Sequence, residues 1–314
     1  MQVKSSNLEH IVLFRTGPDR QRPIPDALCP QTDGSQWLTL CLHIENPLMS
    51  HYLRIACLCT ESVETLYALG AEDCIAGISG FTVRPSRARK EKPKISGFSS
   101  AKLERILAVK PDLAIGFCDL QADICRDLAQ AGVEVHLFNQ RTVAGILHMI
   151  RVVAAMVARE DAGKTLVAEL QDKIDAARAR ANQWTRRPKI YFEEWNEPLM
   201  SGIGWASEVI GIAGGDDIFQ ELSVHPSARQ RIIADPQEVV RRAPDIIIGS
   251  WCGKKFQPDS LSQRPGWDTI PALQNKMLFE IKSPDILSPG PSVITEGLRQ
   301  ISDIVAQWQT RHGA

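Results

Sequence analysis

Side chains able to hold a ligand gather behind four short apolar runs of this 314-residue chain. Asp119 and Gln121 follow the run ending at Phe117, and Asn139, Gln140 and Arg141 follow the run ending at Phe138. Glu193, Glu194 and Trp195 come after Phe192; Trp251, Cys252, Lys254 and Lys255 come after Gly249. In open α/β sheets the loops behind strand ends line the ligand cleft. The residue types suit non-covalent capture. Trp195 and Trp251 offer flat, stiff surfaces for stacking on a conjugated ring. Arg84, Arg141, Lys254 and Lys255 suit carboxylate or phosphate groups, the arginines through two-pronged hydrogen bonds. Glu193 and Glu194 suit amides, ammonium groups or a metal; neighbours on an extended segment point to opposite sides, so one of them, taken as Glu194, is expected at the cleft. Trp205, in the glycine-flanked segment SGIGWAS, is expected to close over a ligand, and Asp285 is a weaker candidate. Any one of these residues alone is explained as a surface loop or as packing under a sheet edge. Four loops converging on one edge favour a site.

Catalysis is the weaker reading. Cys252 has no histidine near it in sequence, and His225 is the best-placed partner that folding could bring to it. The seven histidines show no HExxH spacing, and neither GxGxxG nor a Walker sequence is present. The chain is expected not to be an enzyme, and bound nucleotide is not implied.

The elements that must position these residues alternate in type. Short apolar strands (53–59, 75–78, 113–117, 133–138) are separated by helices, which predicts a parallel sheet covered on both faces. Residues 142–185 carry apolar side chains at three-and-four spacing and no proline, the pattern of a long helix or two stacked ones. A break is expected at Asp161–Gly163. After it the strand–helix pattern returns. LERILAVKPDLAIG (103–116) is answered by PQEVVRRAPDIIIG (236–249), and LGAEDCI (69–75) by AGGDDIF (213–219). An internal repeat of this kind predicts two equivalent α/β lobes with a cleft between their strand ends. The expected divisions are a leader over 1–50, an N-terminal lobe over 51–141, a connecting helix over 142–186 and a C-terminal lobe over 187–314.

Composition narrows the class. A net charge of −1 gives no support for nucleic acid or an anionic membrane as partner, and the basic run from Arg84 to Lys94 is read as a solvated loop. The chain is large and rich in apolar residues, so its eight cysteines need not act as staples. Cys57 and Cys118 are expected as buried free thiols. Residues 1–48 show no signal-peptide pattern, which predicts a cytoplasmic protein.

The motifs ISGFTVRP (78–85), the helix–Pro-Asp–strand units at 103–116 and 236–249, and AGGDDIF (213–219) together resemble the vitamin B12 and iron–siderophore substrate-binding proteins of ABC importers. The likeness spans roughly residues 53–308. It implies two Rossmann-like lobes held by a backbone helix with little hinge motion, and a monomer that takes cobalamin or a similar metal chelate as ligand. By that resemblance Phe98 and Phe117 hold cleft aromatic positions, Arg84 takes the place of a tyrosine, and Glu104 matches a glutamate that docks on the membrane permease. The second docking position falls on Gln237, with Glu238 one step along. The resemblance also implies export to the periplasm. The alternative is a cytoplasmic carrier, sensor or enzyme that reuses the same fold.

Overall fold

The computed structural model describes residues 51–312, so the leader expected over 1–50, with Cys29 and Cys41, lies outside the described residues. The apolar runs of the first half fold as β1 (Ile55–Cys57), β2 (Ile75–Ser79), β3 (Lys94–Ser96), β4 (Leu113–Phe117) and β5 (Glu134–Phe138). They form one sheet in the order β3-β2-β1-β4-β5 with every pairing parallel. β1 and β4, at its centre, are buried along their whole length, which is why they read as unbroken apolar runs. Cys57 and Cys59 share one face while Leu58 and Ala56 belong to the core on the other.

The second half builds β6 (Lys189–Asn196), β7 (Leu199–Ser201), β8 (Asp216–Asp217), β9 (Ile246–Gly249) and β10 (Leu278–Glu280). Their order is β10-β9-β6-β7, with β8 beside the start of β6. This sheet is mixed, because β7 runs antiparallel to β6. The Glu197–Pro198 turn joining them is far too short for a parallel crossover. The β6 strand also runs beyond Phe192, so Glu193, Glu194 and Trp195 lie on the strand itself rather than in a loop behind it.

The repeated motif proves to be a register device. In both copies the helix (Leu103–Leu107, Gln237–Arg242) is followed, just before the proline, by a left-handed residue: Lys110 at φ 47° and Ala243 at φ 48°. The aspartate then clips the start of the central strand of its lobe. Asp112 accepts hydrogen bonds from the backbone N–H of Leu53 (2.8 Å) and Arg54 (3.1 Å), and Asp245 accepts one from Lys189 (2.9 Å). Backbone bonds from Asp112 N–H to Arg54 O (3.0 Å) and from Asp245 N–H to Lys189 O (2.8 Å) complete the pair. Pro-Asp thus ends a helix and sets the alignment of β4 on β1 and of β9 on β6.

The connector is two helices, Val143–Met156 and Glu160–Ala181. The break falls at Val157–Arg159, where Ala158 takes φ 52°, and not at Asp161–Gly163, which lies in the first turn of the second helix. Gly163 serves a different purpose there: a Cβ on it would stand 2.4 Å from the Cβ of Ala154, so its missing side chain lets the two helices touch. The first helix packs on the helix Thr60–Ala68 of the N-terminal lobe, and its end is tied to the start of that lobe by Tyr52 N–H to Met156 O, 3.0 Å. The second helix returns to pack on the C-terminal lobe at Gly204–Ile212 and at Leu298–His312. One continuous apolar core runs from β1 through both connector helices to β6 and the closing helix.

Candidate ligand-binding cleft

Because β1, β2, β4 and β5 are parallel, their carboxyl ends share one edge, and that edge meets segments following β7 and β10. Arg84 forms an ion pair with Asp285 across the seam. Thr60 and Ser288 bond through their hydroxyls at 3.0 Å, Gln140 Nε2 donates to Pro289 O at 3.0 Å, and Ser292 Oγ donates to a Glu64 carboxylate oxygen at 2.9 Å. The backbones come so close at Gly204 that a Cβ there would stand 2.6 Å from the carbonyl oxygen of Arg141. A cavity of about 760 Å³ opens beside this seam, lined by Glu64, Tyr67, Arg84, Arg87, Lys282 and Asp285 among others.

The expected site residues separate into groups. Phe117, Arg141 and Trp205 come together: the Arg141 guanidinium lies 4.9 Å over the Phe117 ring, and Phe117 meets Trp205 edge-on at 6.2 Å. Trp195, Trp251 and Lys254 make a second cluster, with Lys254 Nζ 5.6 Å and 5.2 Å from the two indole rings and 3.2 Å from Asn196 Oδ1. Arg84 lines the cavity, already engaged by Asp285. Asp119 and Asn139 are exposed behind β4 and β5, and Phe98 is half-buried against the core.

Phe117 is itself part of the buried core, and four more of the expected contact residues are engaged by partners inside the protein. Gln121 is fully buried: its Oε1 accepts the Phe117 N–H, and its Nε2 donates to the carbonyls of Leu58 and Phe98. It therefore binds three strand-end segments to one another. Trp205 sits in the first turn of the helix Gly204–Ile212, not in a mobile flap, and its indole N–H donates to Ile286 O at 2.7 Å. Trp251 is buried with its N–H on Glu193 Oε1 at 2.9 Å, while Arg264 clasps the same carboxylate at 2.6 and 3.0 Å. Glu194 points to the opposite side, as alternation on a strand requires, where buried Arg231 grips it at 2.6 and 3.0 Å. A polar group taken from water must find a partner, and these partners lie inside the protein.

What the residue types did not flag is the apolar rim. Of the six large hydrophobic residues that stand exposed among the described residues, three follow the carboxyl ends of N-lobe strands: Phe81 at 65%, Val83 at 37% and Leu120 at 61% exposure. Phe81 and Val83 lie within the ISGFTVRP motif, where their position directly behind β2 was the available signal. The seam is also acidic. Glu61 is buried with its Oε1 unpartnered, and burial pushes its carboxyl upward. Burial raises Glu64 to about 7, against the lowering effects of the Ser292 hydrogen bond and of Arg84. Burial likewise pushes the Cys57 thiol up to about 12. Among the described residues no group of three or more His, Cys, Asp or Glu is placed to hold a metal ion, and no helix is long and apolar enough to cross a membrane.

The periplasmic binding protein family model matches residues 55–284. The chain belongs to the periplasmic binding protein family. Among its relatives, the vitamin B12-binding protein of Vibrio campbellii is 27% identical over 265 residues, 82% of this chain and 90% of that one. The vitamin B12-binding protein of Photorhabdus laumondii is 27% identical over 226 residues, covering 69% and 79%. Solved structures share the fold of this periplasmic binding protein, among them two whose names state a ligand. The periplasmic vitamin B12-binding protein of Vibrio cholerae superposes with a TM-score of 0.67 at 19% identity, covering 82% of this chain and 98% of that one. The periplasmic heme-binding protein of Roseiflexus does so with 0.68 at 21% identity, covering 80% and 98%. The family consists of binding proteins rather than enzymes, so the two-lobed architecture is that of a periplasmic binding protein built to capture ligand.

Proposed function

We propose that this protein captures a flat metal chelate of the cobalamin type between its lobes and presents it to an ABC permease from the periplasm. The observation that carries this reading is the exposed apolar rim of Phe81, Val83 and Leu120 behind β2 and β4. Side chains left in water at a seam otherwise rich in satisfied polar contacts are suited to covering an apolar ring face. Half-buried Phe98 and Trp195 offer further aromatic surface at strand ends of the two lobes. The names of the relatives, vitamin B12-binding and heme-binding proteins, support a conjugated macrocycle as the class of ligand. Docking on a permease is supported by Glu104, exposed on the helix Leu103–Leu107. On the other lobe Glu238 is held by Arg241 and Arg242, and Gln237 by Pro265 O, so that side is expected to contribute less.

The rival reading, an enzyme using Cys252, is disfavoured by its thiol. Cys252 reaches the surface, but desolvation by its surroundings and the nearby Glu194 raise its pKa, which suppresses the nucleophilic thiolate. The test is a titration of cyanocobalamin followed by tryptophan fluorescence. Saturable quenching is expected, and no change at tens of micromolar ligand sinks the proposal. Phe81→Ala should weaken binding by roughly tenfold, the loss of about 1–2 kcal/mol of apolar contact, and leave the melting temperature unchanged.

A further inference from the structure

The net charge of −1 conceals an uneven distribution. Residues 84–110 hold nine basic and two acidic side chains, so this short stretch carries +7 and the rest of the chain −8. The fold gathers the stretch around one place, the outer strand β3 of the N-lobe sheet. The helix Ala88–Glu91 leads into β3, and the helix Leu103–Leu107 packs beside it, with Ile95 and Ile106 in one core. Arg89, Lys90, Lys94, Lys102 and Arg105 are exposed there, and none has a carboxylate within ion-pair distance among the described residues. Of the two acids, Glu91 is engaged by the Tyr67 hydroxyl at 2.6 Å and by Arg87 at 3.9 Å, which leaves Glu104 exposed among the cations.

A lysine on an outer strand guards it against pairing with another sheet, and that explains Lys94. It does not explain the cations on or at the ends of the two flanking helices. Like charges held together without counter-charges repel one another, and an opposing anionic surface relieves the repulsion. The five side chains spread over the strand and both helices, and none of them lines the cavity beside the seam. They suit an extended anionic surface, not a small anion in a pocket. In the capture reading, on which this step rests, Glu104 meets a permease, so docking turns its helix towards the bilayer that holds the permease. We infer that the sheet edge around β3 is a separate contact surface that rests on anionic phospholipid headgroups. The attraction reaches across about 10 Å at moderate ionic strength and is lost in strong salt.

The experiment is co-sedimentation of the full-length protein with vesicles of phosphatidylcholine, alone or with about 30% phosphatidylglycerol, at low salt and at about 0.5 M salt. Binding is expected only to the anionic vesicles and only at low salt. Each basic side chain near such a surface strengthens binding about fivefold, so Lys90→Gln, Lys94→Gln and Lys102→Gln combined should weaken it about a hundredfold. Lys164→Gln, Lys173→Gln and Lys189→Gln combined remove the same charge elsewhere and should bind vesicles as the parent does. An unchanged cyanocobalamin titration reports that the first triple variant is folded. Failure to sediment with the anionic vesicles, or an equal loss in both triple variants, overturns the inference. Retention on immobilised polyglutamate without binding to vesicles also overturns it and assigns the patch to an acidic protein. These outcomes leave the capture reading standing, which fails only if the parent does not bind cyanocobalamin.

Discussion

Glu64 gives the sharpest test of the seam. It is half-buried between the lobes, bonded to the Ser292 hydroxyl and close against Gly290, whose added Cβ would stand 3.2 Å from its Oε2. The charged groups around it are Arg84 and Glu61 on its own lobe and Lys282 and Asp285 on the other, with Arg87 at the cavity wall. Burial raises its pKa from the ordinary value of 4.5 to about 7. A carboxyl with a raised folded-state pKa binds its proton more tightly in the native than in the unfolded chain. Its contribution to stability is therefore fully present below about pH 4.5 and is lost as pH rises through 7. At about 1.36 kcal/mol per pH unit the loss comes to roughly 3 kcal/mol. For a domain of this size that is roughly 6–12 °C in melting temperature. Glu64→Gln keeps the shape and the acceptor for Ser292 but cannot ionise. Thermal melts of both proteins between pH 4.5 and 8.5 are the assay. The parent should lose stability on the alkaline side relative to the glutamine variant, with the two curves converging at acid pH. Glu61, also raised by burial, repels an ionised Glu64, so that repulsion forms part of the difference between the two proteins. Curves that stay parallel across the range refute a protonated Glu64 at the seam.

Two further substitutions probe how the lobes are held. Glu193→Ala removes a carboxylate that is fully buried and clasped by Arg264 and Trp251, leaving the guanidinium unpaired; a loss of about 3–5 kcal/mol is expected in urea unfolding. Gly163→Val places a branched side chain where even a Cβ would stand 2.4 Å from Ala154. Overpacking the connector in this way should cost about 1–3 kcal/mol, read in the same melts.

Much of the fold was legible because it rests on patterns of sequence spacing. Parallel strands buried on both faces give apolar runs, and a duplicated helix–Pro-Asp–strand unit announces two lobes. The function of Pro-Asp as a clip on the neighbouring strand was hidden, since the partners of Asp112 lie 58 and 59 residues away. The connector break was misplaced for a local reason. Asp161 and Gly163 look like helix breakers, but acidic residues stabilise a helix start, and a glycine can stand in a helix for the sake of close packing. The site was the least legible part. Trp205, Trp251, Gln121 and Glu194 are the large or polar residues that a cleft would use, yet each satisfies a buried partner. Which face of a strand end looks inward depends on register, which spacing alone does not set. Exposure, by contrast, singles out Phe81 and Leu120, apolar residues whose type gives no sign of a site, Phe81 within the ISGFTVRP motif and Leu120 in none.

The connector geometry bears on how far the cleft can open. A single helix from Thr142 to Thr185 would have been one stiff strut between the lobes. In the folded chain Glu160–Ala181 runs from the N-terminal lobe to the C-terminal lobe, and its 22 residues span about 33 Å. The preceding helix packs on the N-terminal lobe and is tied to it at its end by Tyr52, while its start is tethered to the other lobe by Val143 N–H donating to Glu208 Oε2 at 2.7 Å. Opening must bend that one helix or break the seam, where Arg84–Asp285, Thr60–Ser288, Gln140–Pro289 and Glu64–Ser292 all join lobe to lobe. Helices resist bending more than loop hinges do, so the cheaper motion is at the seam. Protonation couples to it: below pH 7 a neutral Glu64 sits at the seam without a desolvation cost, and above it the carboxylate gains by reaching water. Small-angle scattering of the ligand-free protein should therefore show a slightly larger radius of gyration at pH 8.5 than at pH 5, and Glu64→Gln should abolish the difference.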